Sequence, residues 1–205
     1  MNIWDFWASK YNRLWVQKYS LRPTREYILE AVKNELDSKE KFKLLDLGCG
    51  PGELIKEMLN RNPKLEITGL DFSEGMLAIS KERNPSANHI KMDVANLDEI
   101  KDKFQVIIST HSFPYYKDPK KVIRDLYNIL EEDGVIHIGF ASGDSVYDKL
   151  ALFFVKFTTG PANYPSDNKF RELISSYFQV ENLKIIRLKK YMPRIAVYSL
   201  KKVKK

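Results

Sequence analysis

The chain has a single cysteine, Cys49, among its 205 residues, which excludes an internal disulfide and fits a reducing compartment. No long apolar run occurs. The longest, residues 150–155, falls far short of the ~20 residues that cross a bilayer. The opening Met1-Asn2-Ile3-Trp4-Asp5-Phe6-Trp7 lacks the basic stretch and apolar core of a secretion signal. These absences lead us to expect a cytoplasmic protein with no membrane span. Acid is missing from the end of the chain: Lys184 to Lys205 holds nine basic residues and no Asp or Glu. Without that stretch the net charge of +7 becomes −2. A reader of polyanions usually sets its Lys and Arg around the site or along one face, so nucleic acid is an unlikely partner. No metal site is read from the sequence. The length suits one domain able to bury roughly 70% of the surface of the unfolded chain.

What is present is a glycine turn in a telling place. Leu44-Leu45-Asp46-Leu47 is a buried strand, Gly48-Cys49-Gly50-Pro51-Gly52 a turn, and Glu53-Leu54-Ile55-Lys56-Glu57-Met58-Leu59 the start of an amphipathic helix. Glycine lets a cofactor lie against bare backbone and allows positive φ. The dinucleotide fingerprint needs a small residue three positions after its second glycine, and this chain has Glu53 there. Asp46 points the same way. A carboxylate beside the turn complements a cationic ligand and repels a pyrophosphate. Cys49 reads as a small, partly buried turn residue.

From residue 41 strands and helices alternate, with strands expected at 42–47, 64–70, 89–92, 104–109 and 135–140. Helices are expected at 51–61, 74–83 and 96–101, and from Asp118-Pro119 to about 131, where Asp133-Gly134 ends the last of them. Continuous apolar strands alternating with helices imply a parallel sheet covered on both faces. A helix at 169–177 then leads to strands at 179–188 and 194–202 joined by a short turn, which forces an antiparallel pair. The expected fold is thus a three-layer α/β/α, Rossmann-like, seven-stranded sheet with a C-terminal antiparallel hairpin. One domain spans 1–205, with an N-terminal helical lid over 1–40 and a core over 41–202.

The run G-x-G-x-G with Asp46 two residues ahead, the closing hairpin and the acids at successive strand tips resemble the class I S-adenosylmethionine-dependent methyltransferases. The strand-four loop is similar to that of the ubiquinone/menaquinone-biosynthesis-like small-molecule group. The likeness implies S-adenosylmethionine as cofactor. It places Asp46, Gly48, Cys49, Gly50, Gly52 and Val94 among the cofactor-binding residues, Asp71 on the ribose hydroxyls, Asp93 at the adenine amino group, and Phe72 and Met76 against the adenine ring. Ser109 closes the cofactor side at the end of strand four.

The loop Thr110-His111-Ser112-Phe113-Pro114-Tyr115-Tyr116 lies beyond a strand's carboxyl end, where ligands of such sheets bind. His111, Tyr115 and Tyr116 are therefore the acceptor-side candidates, His111 as base because its ordinary pKa suits proton transfer at pH 7. The Asn-Pro-Pro-Tyr motif of amino methyltransferases is not matched by Ser112-Phe113-Pro114-Tyr115, and its function is not carried over. Trp4, Trp7, Tyr11 and Trp15 recur at helical spacing, either as a helix glued to the core or as a lid. The resemblance implies a lid and puts Tyr11 on the methionine carboxylate. Arg22-Pro23-Thr24-Arg25 either supplies a basic contact or starts a helix over 24–36.

The reading is methyl transfer from S-adenosylmethionine to a small-molecule acceptor by in-line displacement. Its rivals are an RNA or protein methyltransferase using the basic C-terminal segment, and a domain that holds the cofactor without turnover. The intact glycine motif argues against the second rival. Neither the acceptor atom nor the oligomeric state is fixed by the sequence.

Overall fold

Seven strands form one sheet in the order β3-β2-β1-β4-β5-β7-β6 in a computed structural model that describes residues 4–5, 20–38, 41–148, 150, 152–153, 161–189 and 192–203. The strands are β1 (Lys43–Leu47), β2 (Glu66–Asp71), β3 (Asn88–Lys91), β4 (Phe104–Thr110), β5 (Leu130–Ala141), β6 (Phe178–Ile186) and β7 (Ile195–Lys202). The helices are α1 (Arg22–Ala31), α2 (Lys33–Ser38), α3 (Glu53–Arg61), α4 (Glu74–Arg83), α5 (Pro119–Ile129) and α6 (Asp167–Ile174). The first five strands pair in parallel, while β7 runs antiparallel between β5 and β6.

Alternation along β1 sorts the core into two layers. Leu45 and Leu47 join α5 and α6 side chains such as Leu126, Ile129, Phe170 and Ile174. Leu44 joins Ile28 of α1, Ile55 and Met58 of α3, and Leu77 of α4. The same alternation turns Asp46 toward the α1–α3 side. Each of these apolar side chains is worth about 1.5–3 kcal/mol when taken out of water.

Several elements differ from expectation. The helix expected to reach 131 stops at Ile129, because Leu130 pairs with Phe104 and is fully buried, a gain that outweighs one more helical turn. The helix expected over 24–36 breaks at Val32 (φ −105°, ψ 20°) into α1 and α2, and the break leaves Val32 and Leu36 both fully buried. The segment expected as a short helix at 96–101 is a 3₁₀ helix at Val94–Glu99, capped by Asp93.

Candidate active site

The glycine turn is tied to its neighbour strand before any ligand is considered. The amides of Gly48 and Cys49 both donate to the Leu70 carbonyl (2.7 and 3.1 Å), and the Gly50 amide donates to Asp71 Oδ2 at 2.9 Å. Gly48 and Gly50 have φ of +70° and +53°. A Cβ on Gly48 would stand 2.5 Å from Ser112 Cβ, whereas one on Gly50 would meet no atom within 4 Å. The first glycine is there for packing against the strand-four loop. The second faces open space.

That space is a cleft of about 400 Å³, open to solvent and lined by Leu21, Arg25, Asp46, the turn residues 48–51, Glu53, Leu54 and Thr110. Asp46 is buried and its Oδ1 has no hydrogen-bond partner among the described residues. Burial, then the charge of Asp71, pushes its carboxyl up to about 7, against the pull of Arg25. Arg25 donates from Nε to Glu57 Oε1 at 3.3 Å. An anion and a cation therefore face one glycine-lined cleft. This is a donor and acceptor set for a zwitterionic chain with a further positive centre.

Asp71 is buried, and each of its carboxylate oxygens accepts one backbone N–H, from Gly50 and from Ser73, both at 2.9 Å. Burial raises its pKa, and the amides of Ser73, Gly50 and Phe72 pull it back. Each oxygen keeps a further lone pair for a ligand hydroxyl. Phe72 is 44% exposed beside it, while Met76 is buried below the start of α4. Asp93 is exposed and caps the 3₁₀ helix through the Ala95 amide (3.0 Å), and Val94 packs half-buried on the core. The Met92 amide binds the Asp71 carbonyl at 3.1 Å and so joins the tips of β2 and β3. Cys49 is buried, and burial pushes its thiol well above the usual range, as expected of a small turn residue.

Under the turn lies a cluster of three hydroxyls. Ser109 Oγ is 2.8 Å from Ser112 Oγ and 3.0 Å from the Tyr116 hydroxyl, and Ser112 Oγ donates to the Leu47 carbonyl at 2.9 Å. Tyr116 is buried against Phe113, with its phenol pushed up to about 12 by burial. Its hydroxyl is spent on holding the loop to the end of β1.

His111 has φ of +60°, uncommon for any residue but glycine. Its amide donates to the Gly139 carbonyl at 2.6 Å, and its Nε2 lies 2.9 Å from Thr24 Oγ1. Thr24 Oγ1 donates its one proton to the Ser20 carbonyl at 2.8 Å. Nε2 must then carry the hydrogen, which leaves Nδ1 as the basic nitrogen. Burial lowers the imidazole to about 4. Tyr115 is half-buried, its hydroxyl 3.4 Å from that of Tyr164 and its ring edge-on to Trp4 with centroids 5.2 Å apart. Asp5 Oδ1 accepts the Ser73 hydroxyl and the Gly75 amide (2.6 and 3.2 Å), so the start of the chain lies beside the tip of β2. Tyr11, Trp7 and Trp15 fall outside the described residues.

The structure thus gathers Asp46, Gly48, Cys49 and Gly50 on the cleft, with Gly52 turned away against Ser80 and Asn84, Asp71 behind the turn, Asp93 apart at the tip of β3 and Tyr116 beneath the loop. Sequence reasoning gave no role to Tyr164, Thr110 or the Thr24 hydroxyl, and left Arg25 between two. Only the R-P-T-R spacing signalled Arg25. Among the described residues no group of three or more His, Cys, Asp or Glu could hold a metal ion.

A parallel sheet closed by an antiparallel β7, with a glycine turn after β1 and acids at the tips of β1 and β2, is the fold that the chain shares with solved methyltransferase structures. Residues 44–134 match the methyltransferase domain family. The chain is 32% identical over 111 residues to a malonyl-[acyl-carrier protein] O-methyltransferase of Bacillus anthracis, which covers 53% of this chain and 41% of that protein. It is 34% identical over 92 residues to a demethylmenaquinone methyltransferase of Thermotoga maritima, covering 45% and 40%. The chain therefore spans about two-fifths of the length of the curated relatives it matches. Its fold is similar to that of magnesium protoporphyrin IX methyltransferase from Synechocystis PCC 6803, with TM-score 0.74, 14% identity and coverage of 97% of this chain and 98% of that one.

Proposed function

We propose that the protein transfers a methyl group from S-adenosylmethionine to a small-molecule acceptor. The observation that carries this is the orphan Asp46 oxygen in a cleft whose Gly50 wall a Cβ would invade. The residues fit the cofactor: Asp46 offers a carboxylate to its ammonium and sulfonium charges, Arg25 a guanidinium to its carboxylate, and Asp71 its spare lone pairs to the ribose. Phe72 supplies an exposed ring for the adenine, with Met76 beneath and Asp93 and Val94 at its edge. When bound, the cofactor supplies an activated methyl group. The protein's task is to hold nucleophile, carbon and sulfur in line.

On the acceptor side, His111 offers Nδ1 as a proton acceptor, neutral at pH 7, and Tyr115 a phenol beside Tyr164. Tyr116 works at one remove, as a positioning residue that braces the loop through Ser109 and Ser112. The whole chain acts as one domain, in the cytoplasm, on a small molecule in preference to nucleic acid. The −2 charge of residues 1–183 supports that preference. Two measurements test the reading. Calorimetry should show binding of S-adenosylmethionine or S-adenosylhomocysteine and none comparable of NAD. Labelled cofactor in a metabolite extract should mark small molecules, and label that disappears with ribonuclease would favour an RNA substrate instead.

A further inference from the structure

One wall of the cleft is held from behind by a helix that does not line it. Pro51 and Glu53 face the cleft, and Arg83, the last residue of α4, binds both. Its Nη1 donates to the Pro51 carbonyl at 2.9 Å and to Glu53 Oε1 at 2.6 Å. One nitrogen can make both bonds because it carries two hydrogens. Asn84, the next residue, donates from Nδ2 to the Gly52 carbonyl at 3.0 Å. The C-terminal end of α4 thus grips three consecutive residues where the turn becomes α3. Gly52 lies so close to α4 that a Cβ there would overlap Ser80 Oγ and Asn84 Nδ2. Ser80 is anchored in turn to β3. The Ala87 carbonyl can only accept, so in the neutral ring of His89 Nδ1 (3.1 Å) carries the hydrogen, and Nε2 accepts the Ser80 hydroxyl at 2.8 Å.

This grip bears on one end of the ligand more than on the other. Glu53 and Glu57 stand one turn apart on α3, and each is paired with an arginine, Glu57 with Arg25 and Glu53 with Arg83. Arg25 is the guanidinium offered to the cofactor's carboxylate, and Asp46 the carboxylate offered to its cationic centres. Without Arg83, Glu53 would be a free anion on the same wall, where it repels the ligand's carboxylate and competes for Arg25. Pro51 is buried, so its carbonyl would also lose a donor that water does not readily replace. The Arg83 side chain is itself 21% exposed, and its pair with Glu53 is screened less than one in open solvent. The ribose side is fixed by other bonds, those from the Gly50 and Ser73 amides to Asp71.

We propose, on the basis of the S-adenosylmethionine reading above, that Arg83 is a positioning residue for the methionine end of the cofactor, acting through Pro51 and Glu53 from outside the cleft. Calorimetry of the full chain with two ligands tests this. S-adenosylhomocysteine has the amino-acid end, whereas 5′-methylthioadenosine keeps the adenosine end and lacks the other; the affinity of the second is measured by displacement of the first. Arg83→Met retains the aliphatic stem and removes both bonds. It should weaken S-adenosylhomocysteine by about tenfold and leave methylthioadenosine within about twofold of wild type. Arg83→Lys restores the charge without the planar fork and should fall between. Two results would overturn the inference and leave the cofactor reading standing: unchanged S-adenosylhomocysteine affinity in Arg83→Met, or an equal loss for both ligands, which marks a general structural role. Wild type that binds neither ligand would overturn the cofactor reading itself, and the inference with it.

Discussion

The Thr24 hydroxyl lies 2.9 Å from Nε2 of His111, across 87 residues of sequence, and fixes which ring nitrogen of His111 can accept a proton. The bond joins α1 to the loop after β4. If His111 is the base, His111→Ala should lower kcat by roughly 10²–10⁴ with cofactor affinity intact. A mild effect would indicate an acceptor that arrives already nucleophilic. Lost cofactor binding would place His111 in the cofactor pocket instead. Thr24→Val removes the acceptor for Nε2–H and should shift the pH–rate profile without abolishing turnover.

Asp46 sets a pH dependence of opposite sign for folding and for binding. Its folded pKa is raised from 3.8 to about 7, so between those values the folded protein keeps a proton that the unfolded chain has released. Stability therefore falls as pH rises through that window. Asp46→Asn should gain stability relative to wild type on going from about pH 5 to about pH 8, measured by denaturant melts. Cofactor affinity should run the other way, rising in wild type as Asp46 ionises against the cationic ligand and staying low and flat in the variant.

Gly48 and Gly50 should fail differently. Gly48→Ala drives a Cβ into Ser112 and should destabilise the fold itself. Gly50→Ala meets no protein atom and carries only a left-handed backbone penalty of about 1–2 kcal/mol, so the protein should fold and lose cofactor binding by calorimetry.

Asp71 holds both the turn and the proposed ribose site. Asp71→Ala removes acceptors from the amides of Gly50 and Ser73 and should cost about 1.5–3 kcal/mol in cofactor affinity, the range for hydrogen bonds to a charged group. Asp71→Asn keeps one carbonyl acceptor and should fall between. Equal affinity in wild type and Asp71→Ala would sink the assignment.

The alternation of strand and helix, the glycine turn after β1 and the acids at the strand tips are local patterns, and the sequence alone determined them. Strand faces repeat every two residues, helices cap where Asp118 meets Pro119, and a turn needing positive φ demands glycine. Tertiary packing decided the rest. It inserted β7 between β5 and β6, ended α5 at Ile129 so that Leu130 could pair with Phe104, and brought Thr24 to His111. The loop Thr110-His111-Ser112-Phe113-Pro114-Tyr115-Tyr116 read as one acceptor-side string, yet the structure divides it between a buried hydroxyl brace, a constrained imidazole and a half-buried phenol. The reason is that burial and long-range hydrogen bonds depend on what lies opposite a residue in space, and its neighbours in the chain do not specify that. Asp46 shows the division within one side chain: its place beside the turn is written in the sequence, while its pKa of about 7 follows from burial that only the packed α1, α3 and β2 impose.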